Sequence, residues 1–224
     1  MFGTPAFVSV HDPKTGKEIG RHTFADEVGL SNFPLAIAAN DDGSRVYVSS
    51  QRDGAVYVLD AADPANIKPR ARLETGSHPV ALALTKDRRR LYVANAHSDT
   101  VSVVDTAAEK VIGTVLLRPQ VAKDLAGATP VGLSLSANEK FLYVALGDMN
   151  AVAVVDVKDS KGFELEGYIP TGWYPTAVAA VGDSLFVANA KGDEARIPQN
   201  FTGKTKGVAS PLRLFEGTLW KLPV

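Results

Sequence analysis

Apolar and polar positions along this chain alternate, or run in short blocks, in the two-residue period of β-strands. The three-to-four spacing of an amphipathic helix is absent from every stretch. Leu91 to Asp105 shows the pattern most clearly. Leu91-Tyr92-Val93-Ala94 is apolar and β-prone, Asn95 to Asp99 is a run of turn formers, and Val101-Ser102-Val103-Val104 alternates before turning apolar. This predicts two strands in a hairpin. A lone hairpin is marginal in water, so it needs copies or partners to bury its faces.

The chain supplies copies. The strand motif recurs as VYVSS at Val46, LYVAN at Leu91, LYVAL at Leu142 and LFVAN at Leu185. Upstream prolines at Pro34, Pro79, Pro130 and Pro175 keep the same step, as do the strand-ending Asp60, Asp105 and Asp156. The period is about 45 residues, with one longer step before Thr129. Each unit reads as X-Pro, a strand of small residues (LAIAA, VALAL, VGLSL, TAVAA), a polar turn, the Tyr-Val strand, a second turn, a strand ending in Asp, and a fourth strand. Four short antiparallel strands at this period are the signature of a β-propeller blade.

The expected fold is therefore all-β: a partial β-propeller of four-stranded antiparallel blades spanning residues 1–224 as one domain. Its units are 1–32 (half a blade), 33–77, 78–128, 129–173 and 174–224, the last incomplete and carrying an insertion at 191–215. Ala6 to Asp12 aligns with Gly54 to Asp60 as a third strand, Gly16 to Phe24 follows as a fourth, and Glu216 to Val224 reads as a final third strand. The count is four to four and a half blades. Propellers usually close with four to eight, and an open arc exposes strand edges. The expectation is a portion of a larger, seven-bladed propeller, or closure through a second copy. A four-bladed ring closing on its own ends would have one strand too many.

Leu91 to Thr114, together with NDDGSRVYV and SANEKFLYV, resembles the YVTN-type bacterial β-propeller repeat. Departures are Ser49-Ser50 and Leu146 in place of the repeat's Asn, the insertion before Thr129, and the long segment after Asn189. Trp173-Tyr174-Pro175 and Leu214 to Pro223 are similar to a narrower group, in which such a propeller precedes an alkaline-phosphatase-like phosphoesterase domain. That resemblance implies an exported bacterial protein, periplasmic or extracellular, with the phosphoesterase domain as a partner in the parent chain. Propeller lactonases share the repeat and imply a hydrolase with its site on the axial face. Surface-layer and adhesion proteins share it too, and imply a structural role.

Composition narrows little further. The formal net charge is -1, which argues against nucleic acid or an anionic membrane as partner. There are no cysteines, which excludes disulfides, thiolate metal sites and Cys nucleophiles. No apolar run approaches the roughly 20 residues of a membrane-spanning helix. The start, MFGTPAFVSVHDPKTGK, lacks the basic and apolar regions of a signal peptide.

Blade geometry sorts the loops into two faces. The face holding the X-Pro entries and the turns between second and third strands collects the candidate ligand-binding residues: Phe33, Asp53, His78, Asn95, His97, Asp99, Trp173, Tyr174 and Asn189. A ring of aromatics, imidazoles and carboxamides there suits a small molecule, a peptide or a protein. No catalytic residue, metal ligand or cofactor is assigned. The histidines (His11, His22, His78, His97) show no metal-binding spacing, although His78, His97 and Asp99 share a face. Asp41-Asp42-Gly43 lacks the rest of a calcium loop, and the basic run Lys86 to Arg90 is accounted for by a hairpin. The recurring Asp60, Asp105 and Asp156 are expected to accept hydrogen bonds at strand ends.

Overall fold

In the computed structural model the structure describes residues 6–24, 32–125, 127–158, 162–193 and 216–224. The alternating segments form antiparallel sheets in chain order. The first is a pair, β1 (Phe7–His11) and β2 (Glu18–Thr23). The second is β3 (Pro34–Ala39), β4 (Arg45–Ser50), β5 (Ala55–Asp60) and β6 (Lys68–Glu74). The third is β7 (Pro79–Leu84), β8 (Arg90–Asn95), β9 (Thr100–Asp105) and β10 (Lys110–Leu116). The fourth is β11 (Pro130–Leu135), β12 (Phe141–Leu146), β13 (Ala151–Asp156) and β14 (Glu164–Pro170). The fifth is β15 (Pro175–Val181), β16 (Ser184–Asn189) and β17 (Thr218–Pro223). Each strand pairs with its neighbours in sequence, as expected of blades. One 3-10 turn, Gln120–Ala122, is the sole helical element among the described residues. Of the 191–215 insertion, residues 194–215 lie outside the described residues, as does Leu214 of the resemblance.

The described residues divide into two compact units, Met1–Ala126 and Gly127–Val224. In the first, alternation along β4 and β5 sends side chains to opposite faces. Val46, Val48, Tyr57 and Leu59 pack with Phe24, Val8 and Val10 of the first sheet. Tyr47, Val56 and Val58 pack with Leu91, Val93 and Val104 of the third. In the second unit Tyr143, Ala145 and Val152 pack with Val178, Leu185 and Val187. Middle strands are thus buried on both faces, which is why they read as continuous apolar runs rather than as strict alternation. The outer strands β6, β10 and β14 alternate exposed with covered positions.

Turn chemistry repeats with the blades. After β3, β7 and β11 the residue closing the strand accepts a hydrogen bond from the backbone five residues on: Arg45 N donates to Asn40 Oδ1 (2.8 Å), Arg90 N to Thr85 Oγ1 (3.1 Å) and Phe141 N to Ser136 Oγ (3.0 Å). In the same turns Gly43, Arg88, Glu139 and Gly182 all take positive φ. Only two of these are glycine, so the turn geometry is held by its hydrogen bonds. Asp60, Asp105 and Asp156 accept from the backbone amides of Ala62 (3.1 Å), Ala107 (3.0 Å) and Lys158 (2.8 Å), the strand-end role expected of them. The amides of Ala108 and Ala107, with Arg90 nearby, also hold the Asp105 carboxyl below its ordinary range.

Burial decides which positions matter for stability. Leu91 is fully buried between the second and third sheets, whereas Leu35 on β3 is 51% exposed. Leu91→Ala is expected to cost about 2–5 kcal/mol in urea unfolding and Leu35→Ala within about 0.5 kcal/mol. Equal losses would contradict the packing described.

Candidate functional site

The X-Pro turns of both units are built by one repeated device. His78, Thr129 and Tyr174, each preceding proline, adopt positive φ of 57°, 51° and 59°. Residues before proline favour extended backbone, so this conformation needs compensation. It comes from the carbonyls, which accept from Ala96 N (2.8 Å), Gly147 N (2.9 Å) and Ala190 N (2.9 Å), the residues just after the Tyr-Val strands. Gln51 N makes the same bond to Phe33 O (2.8 Å). The X-Pro residue is therefore locked to the second strand, and its side chain is presented at the turn face.

Asn95 and Asn189 are buried supports of that face. Asn95 Nδ2 donates to Thr100 Oγ1 (3.0 Å) and Ser102 Oγ (2.9 Å), and Asn189 Nδ2 to Thr218 Oγ1 (3.2 Å). Each is matched to a glycine in the incoming segment. A Cβ on Gly76 would stand 2.7 Å from Asn95 Cγ, and one on Gly172 2.9 Å from Asn189 Nδ2. Where Leu146 replaces the Asn, the corresponding Gly127 has open space. Asparagine and glycine are thus a packed pair, a coupling that repeat alignment shows only once the contact is known.

The remaining candidates fall into local groups. Phe33 lies under the Arg52 guanidinium, 5.1 Å from the ring centroid. His78 and His97 stack with centroids 3.4 Å apart, and Ser77 Oγ lies 3.1 Å from His78 Nδ1. Asp99 is buried and pairs with Arg118 Nε at 2.8 Å, which ties the segment after β10 to the turn. Stacked imidazoles and a carboxylate turned to a guanidinium do not converge on one point. Among the described residues no group of three or more His, Cys, Asp or Glu could hold a metal ion. In the second unit Tyr174 N donates to Asn150 Oδ1 (2.8 Å), Lys191 Nζ sits 4.2 Å from the Tyr174 ring, and Trp173 N donates to Gly192 O (2.6 Å) with its side chain 41% exposed. Two cations of the basic run between β7 and β8 are in ion pairs, Arg88 with Asp41 and Arg90 with Asp105.

Asp53 lies apart from these. It lines a cavity of about 740 Å³ in the first unit, with His22, Phe24, Asn32, Tyr57, Arg70, Arg72 and Glu74 among the walls. Sequence reading singled out Asp53 alone of this set. One signal was available: Tyr57 occupies a position that is Ser102 and Ala153 in the following blades.

Burial lowers the His22 pKa, and burial together with the neighbouring His97 lowers that of His78. Folded protein therefore binds these protons less readily than unfolded chain, and unfolding takes protons up. Stability of the first unit should fall as pH drops below the ordinary imidazole value near 6.5. Urea midpoints measured across that window should lose part of this slope in a His22→Gln/His78→Asn variant. An unchanged slope would refute the assignment.

A family model described as "Lactonase, 7-bladed beta-propeller" matches residues 12–126, just over half of the chain. No curated protein matches it. Among solved structures, the chain is similar to Kuenenia stuttgartiensis hydrazine synthase at 27% identity and a TM-score of 0.61, over 74% of this chain and 45% of that one. A Bacteroides uniformis protein provisionally named 6-phosphogluconolactonase matches at 18% identity and TM-score 0.62, over 71% and 48%. A Bacteroides fragilis protein with the same provisional name matches at 19% and 0.60, over 77% and 53%. The last two likenesses concern the fold. The chain spans about half the length of these structures.

Proposed function

The chain belongs to the lactonase family of seven-bladed β-propellers, and from that premise we propose that it serves as a non-catalytic binding and scaffolding module of an exported bacterial protein, N-terminal to a phosphoesterase domain. One observation carries the non-catalytic reading. The polar residues that recur on the turn face are engaged by the fold itself: Asn95 with Thr100 and Ser102, Asn189 with Thr218, Asp99 with Arg118. Side chains held in this way fix the shape of a surface and are poorly placed to exchange protons or attack a substrate. Export and the attached phosphoesterase are supported by the likeness of Trp173-Tyr174-Pro175 and of the segment ending at Pro223 to such fusion proteins.

A lactonase-type hydrolase is the second reading. It is favoured by the family match and by the His78–His97 stack. An imidazole whose pKa is lowered stays neutral near pH 7 and can take a proton from the water that attacks a lactone carbonyl.

The two readings part in a hydrolysis assay of this chain with D-glucono-δ-lactone and p-nitrophenyl phosphate, with and without added Zn²⁺, Mg²⁺ or Ca²⁺. Neither substrate should turn over above the buffer rate. Lactone hydrolysis that His78→Ala abolishes would overturn the scaffold reading in favour of the second. Translation of the gene downstream of Val224 tests the fusion: a phosphoesterase domain supports it, and a stop codon removes it.

A further inference from the structure

The cavity of the first unit has the chemistry of a ligand site. Its floor is Asp53, in the turn between β4 and β5, whose side chain is 2% exposed. Tyr57 Oη donates to Asp53 Oδ2 at 2.7 Å and lies 3.2 Å from the Asn32 side-chain amide. Arg72 Nε stands 3.6 Å from Oδ2, and Arg72 also donates to the Asp53 carbonyl at 3.0 Å. The other carboxylate oxygen, Oδ1, is buried and accepts no hydrogen bond. A buried anionic oxygen without a donor is costly, so its retention beside a cavity points to a donor supplied from outside the fold.

The walls state what kind of molecule carries that donor. Full charges in the lining balance, with Asp53 and Glu74 against Arg70 and Arg72. Arg72 is within reach of both acids, and Arg70 shares Glu109 with Arg45 outside the lining. His22 is biased to its neutral form by burial. A charged ligand would find no unmatched counter-charge, whereas a neutral one keeps every pair intact. Along one side His22, Phe24 and Tyr57 form a continuous aromatic wall, with successive ring centroids 4.9 Å apart. Such a wall takes the C–H face of a ring, while Asn32 and Arg72 supply donors and acceptors at its edge. The volume, about 740 Å³, lies in the range of small-molecule sites. Oδ1 is itself inaccessible to solvent, so binding there requires the Arg72 side chain, 37% exposed, to shift as a hydroxyl approaches.

We propose that this cavity binds a neutral, hydroxylated ring compound of the monosaccharide or disaccharide class, with one ligand hydroxyl donating to Asp53 Oδ1 and Arg72 donating to a neighbouring oxygen. The site involves no bond making, so it stands whether or not the turn face is catalytic.

Isothermal titration of the chain with the methyl glycosides of D-glucose, D-galactose and D-mannose tests this, with glucosamine and glucose 6-phosphate as charged probes. Saturable binding of at least one neutral glycoside is expected. Affinity should fall about tenfold or more in Asp53→Asn, which keeps the side-chain shape but replaces one carboxylate oxygen with an amide. Tyr57→Phe should weaken it severalfold, and Leu35→Ala, at an exposed β3 position outside the cavity, should leave it unchanged. Each variant is first checked for the wild-type urea midpoint, and Tyr57→Phe stands in if Asp53→Asn does not fold. No binding of any neutral glycoside would overturn the proposal. So would tighter binding of either charged probe, or an affinity indifferent to both Asp53→Asn and Tyr57→Phe.

Discussion

The structure depends on middle strands that are apolar on both faces. β8 and β9 are buried along nearly their whole length, as are β12 and β13. A single sheet could cover at most one of these faces with its own residues. Each sheet must therefore be flanked, and within each compact unit a neighbouring copy does this, the second sheet against the third and the fourth against the fifth. Burial of a Val or Leu side chain contributes roughly 1.5–3 kcal/mol, so each core between successive sheets outweighs any one turn or ion pair. Side-by-side placement of the innermost strands, β3 with β7 and β11 with β15, follows from the same stacking. Their small residues allow the close approach: Gly132 on β11 has room for no more than a tight Cβ, 3.3 Å from Ala177 on β15.

Turns accept strain so that the sheets can stack. The left-handed backbone at His78, Thr129 and Tyr174 places a carbonyl where the next strand's exit amide can use it. Asparagine fills the space beneath an incoming glycine for the same purpose. These residues look functional in isolation because they are polar, aromatic and close to one face. The fold holds Asn95 and Asn189 through Nδ2 and Asp99 through Oδ2, although Oδ1 of each asparagine is buried without a partner. Ligand chemistry belongs instead where a blade departs from its copies, and Tyr57, standing where the next blades have Ser102 and Ala153, marks such a departure beside Asp53 and Arg72.

Most of the fold was legible in the chain. Strand positions, their order within each blade, the strand pair at the start and the role of Asp60, Asp105 and Asp156 follow from period, alternation and turn residues. Those signals are local, and a propeller is assembled from local pairings. The site was legible only in part. Phe33, His78, His97, Trp173 and Tyr174 could be placed in their turns because they sit at fixed offsets from prolines and turns. The cavity around Asp53 was not, because His22, Phe24, Asn32, Tyr57 and Arg72 come from separate strands and turns, and converge only after the first and second sheets pack. The positive φ of Arg88 and Glu139 was hidden as well, since glycine, the usual marker of that conformation, is absent there.

Hydrogen exchange of backbone amides tests the central claim most directly, because it measures the protection of each strand separately. If middle strands buried on both faces hold the structure together, amides of β4, β5, β8, β9, β12 and β13 should exchange last and only through the largest openings. Amides of the outer β6, β10 and β14 should exchange earlier within the same sheets. Outer strands protected as well as the middle ones, or middle strands exchanging first, would contradict the account.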